Sequence, residues 1–482
     1  MHPPQQHKFG FKAWIPTIGL AFAAFVFNTS EFLPVGLLPN IAESIHESVS
    51  KTGLIITVYA WVVSLLSLPL TILTAKLERR RLLLWLIVIF ALSHFVVLWA
   101  DTFEKLMGAR ICVAVTHSIF WSIMTPLAAR VAPFGKQAFG LAAVMGGSIV
   151  ATVLGVPIGT HLGQQVGWQG SFFIVGMAAV LVWVIIFFSL PVCTSNRAGS
   201  LKSLPSLFKR PALVQLYLLT MVVILGQFTV YSYITPILMN VGHLSENATV
   251  WFLFIFGIAG IIGTVISSRT VDKHRSGTLV IPMLIMTVCV GLLTVTSSHF
   301  GALVILGTFW GASMTAISMA FQTLLLDTAR DAADVATSMF SGIFNIGIGG
   351  GAFIGSRVSA EFGFAAVPYV ACALIGVCVL ACAAIWLKRG SAILPTRQDE
   401  YTNTTQMKTA LRRRAVNQKR FKLFLLVLVA QTDVELSQLF FINRRRSLRQ
   451  QALCTLCLRE GDHVTDGIST AHHGDDTVKT EC

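Results

Sequence analysis

Charge is what this chain has least of. Asp, Glu, Lys and Arg make up 12% of its 482 residues, and 54% are hydrophobic. A soluble domain carries about 25% charged residues. So little charge over such a length excludes an ordinary water-soluble fold, because a globular core cannot hide that much apolar surface. Cysteine is sparse, with nine residues scattered along the chain. Cys112, Cys289, Cys372, Cys378 and Cys382 fall in apolar stretches and read as small packing residues, not a disulfide framework. There is no Walker-type phosphate loop, which excludes ATP hydrolysis as a drive. The apolar stretches hold no metal-spaced cluster, and no constellation supports an enzyme.

What the chain does have is apolar runs long enough to cross ~30 Å of hydrocarbon. Examples are "LLLWLIVIFALSHFVVLWA" (82–100) and "FFIVGMAAVLVWVIIFFSL" (172–190). About twelve spans follow from the ~20-residue criterion: 12–39, 52–74, 82–100, 104–131, 137–164, 171–190, 212–239, 248–268, 278–297, 302–326, 335–357 and 364–387. Each is expected to be an α-helix, since a lone segment in lipid must satisfy its own backbone. The expected fold class is an all-α integral membrane protein of twelve transmembrane helices.

Most of the net charge of +14 lies in the gaps between spans, which argues for cytoplasmic loops and against nucleic acid. With the N-terminus inside, eighteen Lys and Arg fall on the inner side, among them Arg79, Arg80, Arg81, Arg130, Lys136 and Arg210. The outer side holds Lys51, Lys105 and Arg357. Both termini are therefore expected in the cytoplasm. No cleavable signal peptide is expected, because the first apolar run leads into a full span.

The segment "PVCTSNRAGSLKSLPSLFKRP" (191–211) is the longest polar gap and divides the spans into two sets of six, the layout of transporters built from two repeats. The expected domains are a six-helix bundle over 1–190, a central cytoplasmic loop over 191–211 and a second bundle over 212–389. A weak echo supports this: "MGGSIVATVLGVPIGTHLG" (145–163) resembles "IGIGGGAFIGSRV" (346–358). Residues 390–482 are mixed and basic and read as a disordered cytoplasmic tail. Its "CTLC" (454–457), with His463, His472 and His473 nearby, is half a zinc pattern and weak evidence.

Polar residues inside the spans are the candidates for chemistry. Glu31 lies in "FNTSEFLPVGLLPN" (27–40). An ionised carboxylate in hydrocarbon is costly, so it must be protonated part of the time, paired, or facing a wet cavity. Those are the properties of a proton carrier. Asn28 lies one turn earlier on the same face and suits either the carboxylate or a sugar hydroxyl. In "RICVAVTHSIFWS" (110–122), Arg110, His117 and Trp121 share one helix face. An imidazole beside an indole suits a polyol, with hydroxyls on the His and C–H faces on the ring. Tyr59 in the second span, and Gln227 with Tyr231 in the seventh, are further candidates for the substrate wall. Asn345, in "FSGIFNIGIGGG" (340–351), is either interhelical glue or a sugar contact, with small residues letting helices approach. Gly155, Pro157 and Gly159 break the fifth helix, because proline removes a donor and the glycines thin the helix.

These features together resemble the major facilitator superfamily: twelve spans, a long central loop, a basic loop after the second span, Arg110 early in the fourth, and Gly-x-Pro-x-Gly in the fifth. They resemble most its drug and sugar proton-antiporter branch. "AAFVFNTSEFLPVGLLPNIAESI", "TVYAWVVSLLSLPL", "HSIFWSI", "YSYITP" and "DVATSMFSGIFNIGIGGGA" are similar to bacterial sugar efflux transporters, over roughly 12–388. The resemblance implies two six-helix bundles and a proton-coupled exporter of arabinose-like pentoses, galactosides or related sugars in the bacterial inner membrane. It implies a monomer with lipid as its surroundings, no nucleic-acid partner, and no cofactor beyond the coupling proton. It gives Arg110 a structural or proton-coupling role, makes Asn345 a sugar contact, and marks Gly155, Pro157 and Gly159 as an antiporter motif. One departure stands out. In "TILTAKLERRR" (71–81), Thr71 and Ala75 stand where the superfamily's Gly and Asp usually are. A multidrug or nucleoside antiporter of the same fold is the alternative, and a channel or receptor the reading from another class.

Overall fold

The computed structural model describes residues 11–74, 76–133, 136–193, 207–271, 274–329 and 333–389. The central part of the linker, residues 194–206, lies outside the described residues, as do Ala75 and the 390–482 tail with its Cys and His cluster. Every regular element among the described residues is helical, and twelve helices are long and apolar enough to cross a membrane.

The spans are α1 (Ile15–Ser44), α2 (Leu54–Leu73), α3 (Arg79–Val96), α4 (Phe103–Val131), α5, α6 (Trp168–Ser189), α7 (Pro211–Tyr231), α8 (Glu246–Thr270), α9 (Arg275–Thr296), α10 (Phe300–Thr328), α11 (Ala333–Phe362) and α12 (Val367–Arg389). The fifth, α5, is interrupted. It runs as Gln137–Val150, a π-turn Ala151–Gly155, then Val156–Val166. Pro157 has no N–H to give Val153 four residues back, and the wider turn sits just ahead of it. The seventh span is shorter than its apolar run suggests. It stops at Tyr231, and a turn at Ile234–Pro236 and a π-turn at Ile237–Val241 follow. Pro236 cannot donate to Ser232, although Pro34 and Pro39 sit inside the unbroken α1.

Glycine seams hold α1 to α5 and α7 to α11. A Cβ on Gly147, Gly155, Gly159 or Gly163 would collide with Ala21, Thr29, Leu33 or Leu37 respectively. On the other seam, Gly347, Gly351 and Gly355 close on Met221, Leu225 and Thr229. The pairing interval is the same in both (155 − 29 = 351 − 225 = 126). The loops repeat as well. The positive-φ residues among those described are His46, His243, Gly167 and Gly363. They pair at nearly one interval (243 − 46 = 197; 363 − 167 = 196). The echo between 145–163 and 346–358 therefore marks the same helix–helix seam built twice.

The basic loop after α2 has its own anchor. Glu78 caps α3, accepting from the backbone N–H of Arg80 and Arg81 at 2.8 Å each. The same carboxylate accepts from Cys193 N at 2.8 Å, and Arg79 N donates to Cys193 O at 2.9 Å. A side chain three residues beyond Ala75 thus ties this loop to the end of α6.

The first six and last six spans touch at several places, Ser64 Oγ of α2 donating to Gly342 O of α11 at 2.8 Å among them, and a further set of bonds gathers at one end. Ser356 Oγ donates to Ser50 O at 2.7 Å, and Ser50 Oγ meets Ser359 Oγ at 2.8 Å. Thr235 Oγ1 donates to Val35 O at 2.9 Å. A Cβ on Gly53 would run into the Tyr233 hydroxyl.

Candidate functional site

The first cluster is built where α1, α2, α3 and α4 meet. Phe27 lies between Phe90 of α3 and Phe120 of α4, with ring centroids 4.0 and 3.8 Å away. This stack fixes the rotation of α1 one turn before Glu31. Glu31 is 9% exposed. Its carboxylate lies 3.5 Å from His117 Nε2. The His117 ring meets Tyr59 edge-on at 5.6 Å and Trp121 at 6.2 Å. His117 Nδ1 and the Tyr59 hydroxyl are both buried without a partner among the described residues.

Arg110 is 1% exposed, yet no bond to a carboxylate holds it. Nη1 donates to Ser30 O at 3.0 Å and Nη2 to Glu31 O at 3.3 Å, both backbone carbonyls of α1. Its Cζ sits 4.3 Å from the centre of the Tyr59 ring, within cation–π range. Ser30 Oγ is in turn 2.7 Å from His94 Nε2. His94, on α3, is wholly buried and did not stand out in the sequence, where it is one polar residue in "LLLWLIVIFALSHFVVLWA".

The other candidates lie apart from this cluster. Asn28 donates to Ser148 Oγ on α5, so its amide is turned from Glu31 toward the seam. Gln227 is 1% exposed, and its Oε1 accepts from Trp310 Nε1 at 2.7 Å. Tyr231 stacks on Phe256 at 5.2 Å and meets Trp310 edge-on at 6.4 Å. Trp310 was another residue that sequence reasoning missed; one aromatic in an apolar run carries no signal until its partner is known. Asn345 Nδ2 donates to Ser341 O on its own helix at 3.0 Å, and its Oδ1 is buried without a partner. The α1 and α7 clusters adjoin through Phe32 and Phe228, 6.0 Å apart.

The seam intervals place Gln227 as the counterpart of Glu31 (227 − 31 = 351 − 155 = 196). One repeat carries an acid beside a histidine and an arginine. The other carries the matching amide, bonded to a tryptophan. Chemically the site combines one exchangeable carboxylate, an imidazole and a phenol with unspent hydrogen-bonding atoms, and an indole face.

The profile described as Major Facilitator Superfamily matches residues 20–331 and 216–442. Among solved structures, the chain is similar to a bacterial homologue of the human lysosomal transporter Spinster, in an inward-facing and unoccupied conformation. That likeness has 16% identity and a TM-score of 0.61, and covers 76% of this chain and 92% of that one. It is also similar to a mutant of the nucleoside transporter NupG, at 12% identity and a TM-score of 0.63, over 78% of this chain and 100% of that one. At these identities the likeness is one of fold. The matched segments run through all twelve spans; the chain belongs to the Major Facilitator Superfamily and is a multi-pass membrane transporter, not an enzyme.

Proposed function

We propose that this transporter exports sugars or sugar-like solutes across the bacterial inner membrane in exchange for protons, with Glu31 as the proton site. One observation carries the reading. A single acid is buried among the described residues, and the nearest guanidinium donates to backbone carbonyls and not to its carboxylate. A carboxylate enclosed in this way is costly to keep ionised once water is withdrawn. It is therefore suited to be charged when the cavity opens and neutral when it closes.

The cycle follows from that property. With the site open to the outer side, Glu31 takes a proton and substrate leaves. With the site open inward, the proton leaves to the cytoplasm and substrate binds. Tyr59 OH, His117 Nδ1 and Asn345 Oδ1 have hydrogen-bonding capacity left for hydroxyls, and Trp121 offers a face for C–H groups. The charge count reads the end holding Ser50 and Ser359 as outer. The hydrogen bonds there support an outer side that is closed in this state.

The test is transport in proteoliposomes under an imposed pH gradient, with labelled pentoses, galactosides, nucleosides and cationic drugs. Gradient-driven movement of a sugar is expected, and Glu31→Gln is expected to abolish it while binding persists. Gradient-driven movement of nucleosides or drugs alone would overturn the substrate class. Undiminished coupling in Glu31→Gln would overturn the proton site.

A further inference from the structure

A guanidinium and a carboxyl group are buried side by side in the α1–α4 cluster, and they do not pair. Inside a protein such charges attract far more strongly than in water. Arg110 Nη2 already reaches Glu31, but at its backbone carbonyl and not at its carboxylate. The Glu31 carboxylate is directed to His117 instead. Some feature of the fold keeps the guanidinium off the acid.

The hydrogen bonds around Ser30 identify it. His94 Nδ1 lies 2.7 Å from the Phe90 carbonyl oxygen. That oxygen only accepts, so Nδ1 carries the proton. A neutral imidazole then offers Nε2 as an acceptor. Ser30 Oγ, 2.7 Å away, must donate to it. The hydroxyl's lone pairs are left for Arg110 Nη1 at 3.4 Å. The bonds run in one direction, from Arg110 through Ser30 and His94 to Phe90. This chain pins α1 to α3 at the residue beside Glu31, where α4 also grips it. His94 is packed on Phe90 and Phe172, at 4.2 and 6.0 Å, so the ring cannot turn freely.

We infer that His94 and Ser30 form a buried strut that keeps the Arg110 guanidinium on the α1 backbone and off the Glu31 carboxylate. His94 is a positioning residue; its bonds go to Ser30 and Phe90 and not to the carboxylate. The charged and titratable groups that face the acid are Arg110 and His117 from α4, Tyr59 from α2 and, through Ser30, His94 from α3. Without the strut, Nη2 can leave the Glu31 carbonyl for the carboxylate of the same residue. A permanent ion pair would then hold the acid in one charge state and end its use as a proton carrier. This inference rests on the reading of Glu31 as the proton site.

Infrared difference spectroscopy on the full-length protein in lipid tests it without any substrate. The readout is the protonated-carboxyl band, induced by acid, that Glu31→Gln removes. His94→Leu is expected to reduce that band at least twofold, and Ser30→Ala to do the same. His94→Gln keeps both bonds, with its amide N–H on Phe90 and its amide oxygen on Ser30, and is expected to keep the band. An unchanged band in folded His94→Leu or Ser30→Ala would overturn the strut. So would equal loss in His94→Gln, which would mark a general packing role. If Glu31→Gln removes no band, the proton-site reading fails, and that outcome is distinct from failure of the strut. If His94→Leu does not fold, Ser30→Ala carries the same measurement.

Discussion

Glu31 and Gln227 occupy the same station on two copies of one seam, and they differ by a single chemical group. At position 31 the carboxylate faces His117. At position 227 the amide oxygen takes the Trp310 indole N–H. The second arrangement ties α7 to α10. Gln227→Leu is expected to leave the buried indole N–H unpaired and to cost about 1–3 kcal/mol, read as a lower thermal midpoint in detergent. An unchanged midpoint would mean that the bond contributes nothing. Glu31, His117 and Trp121 were legible in the sequence because polar residues inside apolar spans are rare and their spacing is countable. His94 and Trp310 were not, because their significance lies in partners 64 and 83 residues away. The sequence also set Asn28 beside the acid, since helical spacing gives the face but not which neighbour claims the amide.

Helix length was readable from apolar run length, and the twelve spans follow from it. Where a helix breaks inside an apolar run was less so. The run after Tyr231 still holds Ile234, Ile237, Leu238 and Met239, and Pro236 is a weak sign that α7 has ended, since α1 runs on through Pro34 and Pro39. The break in α5 was expected at Gly155, Pro157 and Gly159, and the structure gives it the form of a π-turn one step ahead. The seam itself does not depend on that form: Gly147 and Gly155 face α1 eight residues apart, and Gly347 and Gly355 face α7 at the same spacing in a helix with no π-turn. Deleting Ala142 should rotate the start of α5 by about 100° and spoil its packing. A size-exclusion profile checks this, and an undiminished yield of monodisperse protein would count against it.

At the scale of the whole molecule, the one-turn helix Val49–Thr52 is one of the places where the first six spans meet the last six. The Ser50 carbonyl accepts from Ser356 Oγ, and the Ser50 hydroxyl meets that of Ser359. If this end opens during transport, those bonds must break in every cycle. A Ser50→Cys, Ser359→Cys double variant is expected to cross-link under oxidant and stop transport, with recovery on reduction. Full transport by the cross-linked protein would show that this end does not open. The partner side of this junction could not be foreseen, because serines on α11 are unremarkable until the fold brings them to residue 50. The pairing of Glu31 with a neutral Gln227 has an electrical consequence. Under the proposed exchange, with Glu31 the single buried acid among the described residues, a turnover that trades one proton for an uncharged solute moves one net charge inward. Membrane voltage then becomes a second source of drive, worth about 2.3 kcal/mol per 100 mV. Vesicles clamped at an inside-negative diffusion potential, with equal pH on both sides, are expected to show solute efflux that scales with the potential. Efflux indifferent to voltage would mean that the traded charges balance.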